Sequence, residues 1–174
     1  MKVSIKNFQI FSAIFVMILG TLLHFTYEWS EGNLLFASFS AVNESTWEHL
    51  KLLFYPMLLT TIIGYFYFGK NKHNFLCANA IGILTAISFT TVFFYTYTGI
   101  IGTNFAFLDI GSFFVAVILG EFITYRLLLT NFVCNKRFAF IVLVVLLLCF
   151  VLFTYAPPEI GLFRDPISNG FGIQ

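Results

Sequence analysis

Charge is what this chain has least of. Lys, Arg, Asp and Glu together make up 10% of its 174 residues, where an ordinary globular domain is about one quarter charged. With 59% hydrophobic residues and 20% aromatic ones, the apolar surface exceeds what a soluble domain of this length can bury, so the solvent for most of the chain is lipid. The formal net charge is +1, which excludes a global field of the kind that attracts nucleic acid. Phosphate-binding glycine loops, dinucleotide fingerprints, H-E-x-x-H and G-x-S-x-G are all absent, leaving nucleotide binding and the common hydrolase elbows without support. Cysteine is also sparse. Cys77, Cys134 and Cys149 have neither zinc nor redox spacing, and no disulfide is expected among them.

What is present is a series of long apolar runs. A bilayer crossing takes about 20 residues as helix, and the runs predict an all-α polytopic protein with five spans over about 8–27, 49–68, 74–98, 104–125 and 138–155. The first is read as a retained helix because no small-x-small cleavage pattern follows it. Residues 33–42 are too short to cross and read as an interfacial or re-entrant segment. Ser45 and Glu48 then have capping-box spacing at the start of the second span, in which Pro56 interrupts the hydrogen-bond ladder. The 36 positions between Lys72 and Asp109 carry no formal charge and are divided by Gly99, Gly102 and Asn104, with Asn104 the candidate N-cap of the fourth span. Pro157 and Pro158 end the fifth span. The tail, residues 156–174, carries the turn signals Asp165-Pro166 and Asn169-Gly170 and is expected to be an ordered extramembrane loop or hairpin. One membrane domain, 1–174, accounts for the whole.

Placing the N-terminus inside puts Lys2, Lys6, Lys70, Lys72, Arg126, Lys136 and Arg137 on the cytoplasmic side, seven of nine basic residues. The C-terminus is then outside. The acids sort oppositely, with Glu28, Glu31, Glu44, Glu48, Asp109, Glu159 and Asp165 toward the outer side and Glu121 alone near the inner end.

The outer side also collects two histidines. His24 and Glu28 share a helical face one turn apart, and Glu44, Glu48 and His49 open the second span. Small residues continue these faces, Ala13 and Gly20 before His24 and Gly64 after His49, as expected of packed interior stripes. Imidazoles with carboxylates suit Zn²⁺, Mn²⁺ or Fe²⁺, so His24, Glu28, His49 and Asp109 are candidate metal ligands, with Glu48 or Glu44 as general base. The plainer alternatives are a cap for Glu48, solvation for Glu28 and Glu44, a hydrogen bond from His24 to a neighbouring helix, and a tie from Asp109 to Lys51 or a Tyr hydroxyl. Asp109 and Glu121 also mark the two ends of a conceivable proton path; an ion pair from Glu121 to Arg126 or Arg137 is the favoured explanation of that acid.

Three segments carry a resemblance: His24-Phe25-x-Tyr27-Glu28-Trp29-Ser30, Val42-Asn43-Glu44-Ser45-x-Trp47-Glu48-His49-x-Lys51, and Tyr95-Thr96-Tyr97-Thr98-Gly99-Ile100-Ile101-Gly102. In these the chain resembles a family of small polytopic bacterial membrane proteins classed as a domain of unknown function. The resemblance implies a bacterial plasma-membrane protein and no activity, substrate or cofactor. From the residues themselves, the leading expectation is a metal-dependent hydrolase or transferase acting on lipid or headgroup substrates from the extracytoplasmic side. The alternatives are a proton- or cation-coupled transporter, and a scaffold that binds a partner through its acidic outer face.

Overall fold

A computed structural model describes residues 4–173, and Lys2 and Gln174 lie outside the described residues. The five apolar runs form five long helices: α1 (Ile5–Trp29), α3 (Thr46–Phe68), α4 (Phe75–Ile101), α5 (Ala106–Leu128) and α6 (Lys136–Tyr155). Each is long and apolar enough to cross a membrane. The segment between α1 and α3 contains one short helix, α2 (Leu34–Ala37). No strand occurs among the described residues, so the protein is all-α, and the helical lengths fit a multi-pass membrane protein.

Helix boundaries exceed the apolar runs by a few residues because polar caps continue the backbone pattern after lipid-soluble side chains end. Ser4 accepts from Asn7 N at the start of α1, and Ser45 accepts from Glu48 N at the start of α3. The second half of the expected capping box differs. The Glu48 carboxylate accepts from Val42 N, and Ser45 N donates to Asn43 Oδ1. Helix α4 runs on past Thr98 to Ile101 and ends where Gly102 takes a left-handed φ of 85°. Asn104 does not cap α5, whose N-cap is Phe105; its amide is spent on Asp109.

Successive spans alternate in direction. Helix α1 packs on α3 and α5, α4 packs most extensively on α5, and α6 lies against α4 and α3. The buried centre is built from all five, with Val16, Phe54, Met57, Ile83, Ala86, Ala116, Val117 and Leu143 in one cluster. Outward positions such as Phe11, Ile18, Phe66, Phe107 and Phe122 are exposed large apolar residues, the surface a helix offers to lipid.

Close backbone approach depends on glycine at two crossings. A Cβ on Gly82 would lie 2.6 Å from Gly120 O, and one on Gly120 would lie 2.8 Å from Gly82 O, so α4 and α5 touch backbone to backbone. In α3, Pro56 has no N–H for the carbonyl four residues earlier, Leu52 O. That carbonyl faces Gly20 of α1, where a Cβ would lie 2.5 Å away.

The expectation of no disulfide is overturned: Cys77 of α4 is bonded to Cys134 in the α5–α6 loop, and Cys149 is free. The bonded pair is 57 residues apart in sequence. Only the return of the loop across the start of α4 brings them together, and no spacing rule anticipates such a closure.

Candidate metal site

The end of the bundle where α1 ends and α3 begins is closed by a tightly tied segment. Ser40 Oγ receives Tyr27 N at 2.9 Å, meets Thr26 Oγ1 at 2.8 Å and donates to Leu23 O. The hydroxyls of Tyr55 and Tyr155 each donate at 2.6 Å, to Ser38 O and Leu34 O. Beneath it, Lys51 and Glu48 form an ion pair at 2.5 Å, with both side chains almost wholly buried. Lys51 also donates to Ala37 O at 2.8 Å and Thr154 Oγ1 at 2.9 Å, while Thr154 donates to Glu48 Oε1 at 3.1 Å. All donors and acceptors of this buried pair are therefore occupied, as such a pair requires.

The tail closes the same end from the other side. A 3₁₀ turn, Gly161–Phe163, is followed by a single antiparallel bridge between Arg164 and Phe171. Asp165 anchors the turn between them by accepting from Ile167 N, Ser168 N and Ser168 Oγ. Burial raises the Asp165 carboxyl, but these hydrogen bonds outweigh it and hold the group below its usual range. Asn43 Nδ2 then donates to Gly172 O at 2.9 Å, fastening the tail to the loop that carries Glu44. Both ends of the Asn43 amide are engaged in this way, so its side chain is structural although Asn43-Glu44-Ser45 has the form of a glycosylation sequon.

On this base His24, Glu44 and His49 converge. Each offers one donor atom, and the three atoms lie within 4.8 Å of one another. His24 Nε2 is 3.2 Å from His49 Nε2, and the Glu44 carboxylate oxygens are 3.4 Å from His49 Nε2 and 3.8 Å from His24 Nε2. Two nitrogens bound to one tetrahedral Zn²⁺ at its usual bond length are roughly 3.3–3.4 Å apart, so the imidazole edge already has the span of a coordination edge. The tautomer of His49 is fixed as well. Its Nδ1 is 2.9 Å from Ser45 O, and a carbonyl can only accept, so Nδ1 carries a proton. Neutral His49 therefore presents a lone pair at Nε2, the nitrogen turned toward His24 and Glu44. When Nε2 takes a second proton, His49 donates to Glu44, and that hydrogen bond is the first cause holding the Glu44 carboxyl below the ordinary range, with burial acting against the shift. All three side chains remain partly open, at 29%, 33% and 42% exposure for His24, His49 and Glu44, which leaves room for a small ligand.

The other expected site residues are placed around this trio. Glu28 is exposed and lies outside it, acting on His24 only through its charge. Asp109 accepts from the Tyr97 hydroxyl and from Asn104 Nδ2, and its charge is felt at His49. The tie to a Tyr hydroxyl is thus the one found, and Lys51 goes instead to Glu48. Glu48 stands behind the trio in its buried pair. The ion pair favoured for Glu121 is overturned: the acid is buried and hydrogen-bonded to Ser12 Oγ at 2.7 Å, and no ion pair among the described residues includes it. Sequence reasoning missed Ser12 and Thr154 as partners, since a hydroxyl on an apolar helix gives no pairwise signal across about 50 or 100 positions. The signal for Lys51 was legible in its i,i+3 spacing from Glu48.

Comparison with known proteins identifies a family and adds no chemistry. Neither the curated proteins nor the solved structures contain a match to the chain. A family model does match, over residues 1–173, and the chain belongs to that family, described as a family of unknown function (DUF6512).

Proposed function

We propose that this member of the family binds one divalent cation through His24 Nε2, His49 Nε2 and a Glu44 carboxylate oxygen, at the extracytoplasmic end of its bundle. The observation that carries the reading is the convergence of those three donor atoms, with the His49 proton fixed on the other nitrogen. Two imidazoles and one carboxylate are a donor set that Zn²⁺, Mn²⁺ and Fe²⁺ all accept, and three protein ligands leave a position for water or substrate. A bound cation of this kind lowers the pKa of its water toward neutrality and polarises a phosphoryl or carbonyl oxygen, which supports hydrolysis or group transfer. Glu44 serves as ligand. Glu48, with its carboxylate committed to Lys51, Thr154 and Val42 N, positions the start of α3 and does not exchange protons with a substrate. Glu28 and Asp109 lie outside the trio and act on His24 and His49 through their charge, and Asp109, hydrogen-bonded by Tyr97 and Asn104, would be the residue to take a proton from a water held there.

The membrane sets the substrate class and the orientation. Among the described residues Lys6, Lys70, Lys72, Arg126, Lys136 and Arg137 all belong to the end opposite the trio, which the positive-inside rule assigns to the cytoplasm of a bacterial plasma membrane. The trio then opens at the outer leaflet, beside lipid headgroups. The test is turnover in phospholipid vesicles. Protein stripped by chelator and reloaded with Zn²⁺, Mn²⁺ or Fe²⁺ is expected to release headgroups in a metal-dependent way, and His49→Ala to abolish the release. Full metal loading with no change in any lipid would reject the catalytic half of the reading.

A further inference from the structure

Far from the trio, a second polar group lies inside the bundle. Ser12 of α1, Thr60 of α3 and Glu121 of α5 are 2%, 2% and 6% exposed. They sit seven, eight and seven residues from the helix ends at the basic side, so all three share a depth of roughly 10–12 Å at 1.5 Å per residue. Ser12 Oγ is 2.7 Å from Glu121 Oε1 and 2.9 Å from Thr60 Oγ1, and Thr60 Oγ1 is 3.0 Å from Met57 O.

Counting protons fixes the state of the acid. The chain contains three hydrogen bonds and therefore needs three protons. Ser12 and Thr60 supply one each, and Met57 O can only accept. The third proton must come from Glu121. With the carboxyl protonated, Glu121 O–H donates to Ser12, Ser12 to Thr60, and Thr60 to Met57 O, and each contact is used once. With the carboxylate ionised, Ser12 turns its proton to Glu121, and Thr60 has one proton for both Ser12 and Met57 O, so one of the three contacts is left without a proton. A buried anion is then left with a single neutral donor, a costly arrangement within a bilayer.

Among the described residues no nearby cation offsets that cost. Helices α1 and α4 are the elements packed on α5. The charged residues of α1 are Lys6 near one end and Glu28 near the other, and α4 has none. Helix α3, which brings Thr60, carries Glu48 and Lys51 at its far end, paired with each other. Arg126 on α5 itself lies over the Phe122 ring. No ion pair among the described residues includes Glu121.

We infer that Glu121 is a proton-binding site within the bundle, a carboxylic acid whose bound proton completes a hydrogen-bond chain joining α5, α1 and α3. Loss of that proton to water reverses the Ser12 donor and leaves one of the Thr60 contacts without a proton, so occupancy of the site is coupled to how the three helices are tied. This site is independent of the metal trio and stands if the trio fails.

Infrared difference spectra of the full protein in lipid, wild type minus Glu121→Gln at neutral pH, test the inference. The glutamine amide still donates to Ser12, so packing is kept. The expected result is the loss of one protonated-carboxyl C=O band, of the eight acidic side chains present, which moves to lower frequency in D₂O. Loss of a pair of carboxylate bands instead would overturn the inference. Ser12→Ala provides the second reading should the first variant fail to fold. Without its acceptor the acid band must move to higher frequency, whereas an acid region unchanged by Ser12→Ala contradicts the chain.

Discussion

His49 has two fates for one nitrogen. Its Nδ1 proton belongs to Ser45 O, so Nε2 either takes a second proton and donates to Glu44, or stays bare and binds a cation. Proton and metal therefore compete at a single atom. An imidazole binds a cation only once the coordinating nitrogen has lost its proton, whereas the Glu44 carboxyl is held below its ordinary range, first by its hydrogen bond with His49. Metal retention is expected to fall as pH is lowered, measured on equilibrated protein, and retention unchanged at about pH 5 would show that the imidazoles are not the ligands. Glu44 has its own, separate window. A lowered carboxyl contributes stability fully above its ordinary pKa of about 4.3 and loses it as pH falls through the lowered value, so acid unfolding lies below metal release. Asn43 holds the Glu44 loop to the tail without touching the trio's donor atoms, and Asn43→Ala is predicted to weaken metal affinity by about 10–100-fold, read by titration against a competing chelator. The ligand residue types were legible in the sequence because His next to Glu on an apolar helix is expensive. Their roles were not, because Glu44 and Glu48 differ only in which way a helix start turns them, Glu44 toward the imidazoles and Glu48 toward Lys51.

Helix α3 shows what the sequence discloses at the level of an element and what it hides. Its span, its start at Ser45 and its proline were all readable. The use made of the proline was not, since the freed Leu52 carbonyl acquires meaning only from Gly20 on another helix. The buried Glu48–Lys51 pair at its start joins α3 to α6 through Thr154 and to α2 through Ala37 O. Removing one partner leaves an uncompensated buried charge, so Lys51→Met is predicted to destabilise by about 3–5 kcal/mol. Adding Glu48→Gln to Lys51→Met should restore most of the loss in thermal unfolding, because the remaining groups are then neutral. Equal destabilisation of the single and double variants would show that packing of the lysine stem, and not charge, is what matters there. Between α4 and α5, Gly120→Val must push apart two backbones already in contact, and a loss of at least about 1–3 kcal/mol is expected, with Gly99→Ala, a position with open space around it, as the neutral control.

On the scale of the whole molecule, acids and bases separate toward opposite ends of the bundle, and the fold keeps them there by alternating five spans. That much follows from where the apolar runs begin and end. Long-range closures do not follow, and the Cys77–Cys134 bond is the plainest of them. It lies at the basic end, which the proposed orientation turns toward the cytoplasm, where thiols are kept reduced. Differential alkylation of membranes trapped directly from cells is therefore predicted to find the pair held as thiols in the cell, closing to the bond of the structure once the protein is purified in air. A fully oxidised pair would place the basic end outside and reverse the orientation. The trio's exposure to the outer leaflet depends on the same assignment, so this result also decides which side a substrate must approach from.

The central claim is that His24, Glu44 and His49 hold a cation, and metal analysis of purified protein by plasma mass spectrometry tests it most directly. After reloading, the wild type is predicted to retain close to one Zn, Mn or Fe per chain, and the folded His24→Ala, His49→Ala double variant to retain none. Equal metal content in the two proteins, or none in the wild type after reloading, would contradict the account.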